Sequence, residues 1–345
     1  MSRRLATLIF ILLIFMAFRE AKIYQLEYPN YFPKPEYNFR NNPLDSSKVE
    51  LGRLLFFDPI LSKDNSISCA SCHSPYNAFA HTDHDLSHGI YDQIGTRNAP
   101  ALFNLAWQKT FMWDGAINHL DMQALAPISD STEMGETIVH VIEKLSQKKL
   151  YKESFFLTYQ DSIITGEKLL KALSQFQLSL VSSNSKYDRV RKQETEFTKQ
   201  ETKGYHLFQQ HCNSCHAEPL FSNYQFSKNE LPLDSGLNDF GRFKVTQQEE
   251  DRFKFKVPTL RNLSFTFPYM HDGRFKKLNK VLNHYTSESI KAQFKKDPKK
   301  KVIELSEDEK VDLISFLLTL NDKSFVFNSK HQFPKVLLEE MKGIK

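Results

Sequence analysis

Two five-residue runs, Cys69-Ala70-Ser71-Cys72-His73 and Cys212-Asn213-Ser214-Cys215-His216, constrain this chain more than any other feature. Together they use all four of its cysteines. In an exported protein such pairs are ordinarily read as disulfides, and Cys-x-x-Cys pairs also hold zinc. Neither arrangement needs a histidine directly after each pair. Two thioether bonds followed by an axial imidazole do need that order. The spacing therefore predicts two covalently attached c-type haems, held by Cys69, Cys72, Cys212 and Cys215, with His73 and His216 on the irons.

Export fits the N-terminus. Arg3 and Arg4 precede the apolar run Leu5 to Phe18, which is short for a membrane span and reads as the core of a secretory signal. The flank Arg19-Glu20-Ala21-Lys22 lacks a small-x-small cleavage site, so residues 1–22 are a signal peptide or an uncleaved N-terminal membrane anchor. Either places the mature protein in the periplasm. The 46 basic residues exceed the 41 acidic ones by only five and read as scattered, which argues against nucleic acid as a partner.

Residues 23–45, rich in Pro and Asn from Tyr28 to Pro43, read as a linker or a surface arm. Beyond this arm helical periodicity is clear in several places and strand alternation is scarce. Ile138, Val141, Ile142 and Leu145 form one apolar stripe, and Leu169, Leu173, Phe176 and Leu180 another. The run Ser185 to Glu201 is charged and shows no apolar face, which sets an N-terminal domain of 46–190 against a C-terminal one of 191–325, with 326–345 as a tail. In the second half Gly204, Leu207 and Phe208 lead into the second motif. Ser306-Glu307-Asp308-Glu309 is a capping box opening a helix with Val311, Ile314, Leu317 and Leu318 inward. The plan is all-α: two tandem class I cytochrome c-like domains, each with one covalently attached haem.

Several blocks occur in order. They are Leu51-Gly52-Arg53-Leu54-Leu55-Phe56-Phe57-Asp58, the first motif, Gly95-Thr96-Arg97-Asn98-Ala99-Pro100, Phe111-Met112-Trp113-Asp114-Gly115, Gln123 to Gly135, the second motif, and Pro268-Tyr269-Met270-His271-Asp272-Gly273-Arg274-Phe275. Over Leu51 to Leu320 this series resembles the bacterial di-haem cytochrome c peroxidase and MauG family. The resemblance implies that Glu133, with Gln123 and Pro127 nearby, serves the distal face of the His73 haem. Breaking an O–O bond heterolytically needs a base that takes a proton from bound peroxide and an acid that returns it to the leaving oxygen, and one carboxylate can do both. Without the resemblance, Glu133 would read as an acidic residue just ahead of the helix at Ile138. His88, followed by Gly89, matches a family histidine that caps the peroxidatic iron in the resting state. The alternative is an ordinary surface histidine, as His81 and His84 are taken to be.

For the His216 iron the sixth-ligand candidates are Met270, His271, His284 and Tyr285. Family peroxidases use a methionine some seventeen residues beyond the Pro of the Pro-Tyr block, and MauG uses a tyrosine there; counting from Pro268 gives Tyr285. Periodicity favours it too, since Leu278, Val281, Leu282 and Tyr285 share one helical face while His284 points about 100° away. Met270 stays the alternative. A thioether favours Fe(II), whereas a phenolate favours Fe(III) and higher states. Trp113 matches the tryptophan that lies between the haems in the family, with a buried anchor as its plainer reading. Asn98, Thr266 and Pro268 match an inter-haem Ca²⁺ site of oxygen donors.

The resemblance implies hydrogen peroxide as substrate and a small exported cytochrome or cupredoxin as donor, and it leaves homodimerisation open. Two alternatives stand beside it: a MauG-like enzyme that oxidises side chains of a partner protein, and a non-enzymatic di-haem electron carrier. The chain departs from MauG six residues before His216, where Gln210 stands in place of a surface tryptophan.

Overall fold

A computed structural model describes residues 25–297 and 300–341. The segment 1–22 expected to be a signal or anchor lies outside the described residues, among which no helix is long and apolar enough to cross a membrane. Among the described residues, seven helices of two turns or more carry the fold: α1 (Ser46–Phe57), α2 (Ile138–Gln147), α3 (Lys149–Tyr159), α4 (Gly166–Ser179), α5 (Lys199–His211), α6 (Leu278–Tyr285) and α7 (Glu307–Leu318). Strand structure among the described residues is one two-residue ribbon, β1 (Phe226–Ser227) antiparallel to β2 (Phe255–Lys256). Side-chain caps fix most helix starts. Asp45 accepts from Ser47 N and Lys48 N, Thr165 caps α4, and Thr198–Glu201 and Ser306–Glu309 form reciprocal capping boxes at α5 and α7.

Each half is built on one close helix crossing. In the first, α1 meets α4 at Gly52, where a Cβ would stand 1.9 Å from the Ala172 carbonyl oxygen and 3.0 Å from Phe176. In the second, α5 meets α7 at Gly204, where a Cβ would stand 2.0 Å from the Asp312 carbonyl oxygen and 2.8 Å from Phe316. Absence of a side chain lets the backbones approach that closely. One turn on from each glycine, Phe56 and Phe208 pack against Phe176 and Phe316 at ring distances of 5.1 and 5.2 Å. A large apolar cluster surrounds the first crossing and a smaller one the second.

Three features differ from the sequence expectation. Helix α7 turns Leu313, Phe316, Leu317 and, just beyond its end, Leu320 inward, while Val311 and Leu318 are 55% and 44% exposed. Two apolar stripes overlap on this helix, and the one carrying Phe316, which must meet Gly204, is buried. The polar run after Ser185 holds the short helix Lys186–Arg191, whose Tyr187 and Asp188 are fully buried. Arg261, also fully buried, explains this: it clasps Asp188 through two bonds of 2.8 and 2.9 Å and donates to the Pro219 carbonyl. An ion pair of this kind leaves no apolar signature.

The third concerns both ends of the described chain, which are docked. Phe32 is buried with its ring 5.3 Å from Trp107, and Tyr31 donates to Asp188. Beyond α7 the chain returns to the first half, where Phe325, Val326 and Leu337 join the larger cluster and Arg53 donates to the Gln332 carbonyl.

Candidate active site

Both Cys-x-x-Cys-His motifs open on one cavity of about 640 Å³. The first forms a single helical turn, Cys69–Cys72, capped by Ser68; the second follows α5, with Cys212 at its C-terminus. They repeat one geometry. His73 N donates to Cys69 O and His216 N to Cys212 O, both at 2.9 Å. His73 Nδ1 bonds the Phe79 carbonyl at 2.8 Å and His216 Nδ1 the Pro258 carbonyl at 3.0 Å. A carbonyl partner fixes the proton on Nδ1 and leaves Nε2 as a lone-pair donor, the tautomer an iron ligand needs. Burial pushes both imidazoles down to about 4, which keeps them neutral. The four thiols are free, with burial pushing Cys69 and Cys212 up to about 12. Neutral imidazoles, unpaired thiols and a largely apolar space reaching both motifs fit two covalently held haems.

On the wall near the first motif lie Glu133, Gln123 and Pro127. Burial, with Asp130 adding repulsion, pushes the Glu133 carboxyl up to about 7. Its backbone is held on both sides, since Glu133 N donates to Asp130 O and Glu133 O accepts from Ile90 N. Gln123 is buried, accepts from Gln177 and points its amide at the Met112 sulfur. His88 is not on this wall. Its ring stacks on His84 at 4.3 Å and its Nδ1 faces Asp92 at 3.0 Å, so the histidine expected to cap the iron is turned away in this conformation. The reason is local. The His84 stacking and the Asp92 contact hold the ring there, while Gly89 is wedged against the Glu133 backbone, where a Cβ would meet Glu133 O at 2.4 Å. His84 is exposed, whereas His81 is half-buried.

The wall near the second motif is made by α6, which presents Leu278, Val281, Leu282 and Tyr285 to the cavity. His284 points elsewhere, bonding the Asn229 carbonyl at 2.8 Å. Burial, aided by the Cys212 and Cys215 thiols, pushes the Tyr285 phenol well above its ordinary value. Met270 also reaches the cavity, with the Asn229 amide 3.4 Å from its sulfur. His271 lies beside it with its ring stacked 3.7 Å from Phe255.

Between these walls the structure reveals a duplication. Phe111-Met112-Trp113-Asp114-Gly115 and Tyr269-Met270-His271-Asp272-Gly273 make the same turn. Met112 and Met270 have φ of 67° and 76°, and Gly115 and Gly273 have φ of 71° and 70°. Each turn is closed by a bridge, Phe111 to Ile117 and Tyr269 to Phe275. Left-handed methionines are uncommon, so a matched pair marks a repeated structural unit. Trp113 ties the halves together: its indole N–H donates to Asn98 O at 2.8 Å and its carbonyl accepts from Lys256 N at 2.7 Å. Asn98, Thr266 and Pro268 line the same cavity, and Asn98 N donates to His271 O.

Comparison with known proteins agrees with this geometry. A model of the di-haem cytochrome c peroxidase family matches residues 46–196. The methylamine utilization protein MauG of Methylophilus methylotrophus is 34% identical over 301 residues, covering 85% of this chain and 87% of that protein. The chain belongs to the di-haem cytochrome c peroxidase and MauG family. Within it, cytochrome c551 peroxidase of Nitrosomonas europaea is 33% identical over 76% of this chain and 79% of its own. Among solved structures, a MauG-like protein associated with microbial copper homeostasis superposes with a TM-score of 0.81 at 27% identity, covering 90% of this chain and 99% of that one. A di-haem family has two c-type haems, and the two motifs account for both.

Two cavity residues of this family member carry no motif signal of their own. Arg97 spans the halves, bonding Asp114 at 2.7 Å and Asp239 at 2.6 Å. Although burial opposes ionisation of Asp239, its bonds to Arg97 hold the carboxyl down to about 2. Lys256 donates to Gln108 Oε1 at 2.6 Å and Thr110 O at 2.7 Å, and burial pushes its ammonium down to about 7 against the pull of Asp114. Only the position of Arg97, inside the Gly95 to Pro100 block, could have drawn attention to it.

Proposed function

We propose that this protein is a periplasmic peroxidase of two cytochrome c-like domains, with one haem each. It reduces hydrogen peroxide to water at the haem held by Cys69, Cys72 and His73, drawing electrons through the haem held by Cys212, Cys215 and His216. The observation that carries this reading is Glu133, a half-buried residue on the cavity wall whose carboxyl burial pushes up to about 7. When bound, the haems supply the iron that holds peroxide and the electrons that reduce it. Glu133 supplies the proton traffic. Its carboxylate accepts one proton from incoming peroxide and returns it to the oxygen that departs, so that two electrons and two protons convert one peroxide into two waters. Gln123, fixed by Gln177, offers its amide to the same space.

Trp113, bonded to Asn98 in one half and Lys256 in the other, offers an aromatic step for electrons between the halves. Asn98 with Thr266 and Pro268 furnishes oxygen donors for a Ca²⁺ that stiffens that junction. The donor is a small exported cytochrome or cupredoxin.

A second reading, oxidation of a partner protein in the manner of MauG, is favoured by Tyr285, whose phenol faces the Cys212 and Cys215 side of the cavity. Electron paramagnetic resonance of the oxidised holoprotein, before and after Tyr285→Phe, tests the ligand. A changed C-terminal haem signal supports tyrosine, and an unchanged one transfers the role to Met270. Peroxide consumption with reduced tetramethyl-p-phenylenediamine tests the activity. Consumption at catalytic rates is expected, and none in either the oxidised or the half-reduced state would overturn both enzymatic readings and leave an electron carrier.

A further inference from the structure

The basic residues are not scattered, despite the near-balance of charge over the whole chain. Residues 276–301 hold nine lysines against two acidic residues, a net charge of +7. The whole chain is only +5, so everything outside this segment is slightly acidic, 37 basic against 39 acidic residues. The segment is also one wall of the cavity at the second motif. Leu278, Val281, Tyr285, Phe294, Lys300 and Lys301 line it. Lys277, Lys280, Lys295, Lys296 and Lys301 are exposed and make no ion pair among the described residues. Lys276, Lys291 and Lys300 are paired, with Asp85, Glu288 and Glu230.

We infer that this lysine-bearing wall is the docking face for a small electron-transfer protein whose redox centre opens within an acidic patch. The inference rests on the proposed entry of electrons at the His216 haem and names the charge of the donor. A partner seated on the outer surface of α6 stands about one helix diameter, roughly 10 Å, from the cavity. Uncompensated charge of one sign steers encounter and selects the partner, and a complex held this way is fast and salt-sensitive.

The test uses the holoprotein, with reduced plastocyanin as an acidic probe and mitochondrial cytochrome c as a basic one. Peroxide-driven oxidation of plastocyanin is expected to exceed that of cytochrome c at low salt and to fall about tenfold or more between 10 and 200 mM ionic strength. The variant K277E/K280E/K295E/K296E is expected to lose that reaction and the chemical-shift perturbation of labelled plastocyanin. Its turnover with tetramethyl-p-phenylenediamine is expected to stay unchanged. K295Q/K296Q serves as the milder variant, with a smaller loss in the same direction. Preference for cytochrome c, salt-independent oxidation or an unaffected quadruple variant would overturn the inference. So would binding to anionic vesicles that the substitutions abolish while plastocyanin binding survives. Failure of turnover with the small donor would instead strike the peroxidase reading, and the plastocyanin titration would still decide the docking face.

Discussion

The two halves of this protein share a frame and differ in what they aim into it. Both cross two helices at a glycine, Gly52 under Phe176 and Gly204 under Phe316, and both fix the histidine of the motif through Nδ1 to a backbone carbonyl. Both carry the same left-handed methionine turn. Beyond that frame the first half brings a half-buried carboxyl, Glu133, to the cavity, while the second brings a phenol, Tyr285, on a helix. A repeated frame thus holds both motif histidines alike and leaves the rest of the cavity wall to segments outside it, and the proposed function assigns catalysis to one copy and electron storage to the other on that difference.

The sharpest way to break that division is Glu133→Gln. Peroxide turnover is expected to fall about 10²–10⁴-fold, the range for loss of a general acid–base group, with haem content and the C-terminal haem spectrum unchanged. The pH profile supplies the sign. Glu133 must be ionised to accept a proton, and its carboxyl titrates near 7, so turnover in the parent protein should climb as pH rises through about 7. That limb should vanish in the variant. An equal loss from Tyr285→Phe, with no spectral change, would dissolve the distinction between the halves.

Next in size is the second half's dependence on a buried ion pair. Asp188→Ala strands Arg261 and is expected to cost roughly 3–5 kcal/mol in chemical denaturation. A loss under 1 kcal/mol would show that the clasp adds little. Smaller again are Gly52→Ala and Gly204→Ala, each forcing a methyl onto a carbonyl and expected to destabilise by about 1–3 kcal/mol. The smaller apolar cluster should make the Gly204 change the worse of the two, and the reverse order would indicate that the halves do not unfold separately. Smallest are the caps of the matched helices. Thr165→Ala and Ser306→Ala should each lower the unfolding free energy by about 1 kcal/mol.

Much of this was legible in the residues. The motifs bring two histidines and three of their four cysteines, Cys72, Cys212 and Cys215, to one cavity, the stripe from Leu169 to Leu180 is buried, and the face of α6 that ends at Tyr285 does meet the cavity. What escaped has physical causes. Helix α7 offered two overlapping stripes, and only tertiary contact with Gly204 chooses between them. Asp188 and Arg261 are polar and lie 73 positions apart, so neither periodicity nor composition betrays that both are buried. His88 is held by neighbours within its own loop, His84 and Asp92, which no family motif marks. The lysine wall was diluted by counting charge over the whole chain, whereas the relevant length is that of one wall of one pocket.

The return of residues 325–337 onto the first half has a temporal meaning. During synthesis the N-terminal half emerges long before Phe325, Val326 and Leu337, so part of its apolar surface has no cover until those residues follow. The half that is begun first is therefore the one covered last.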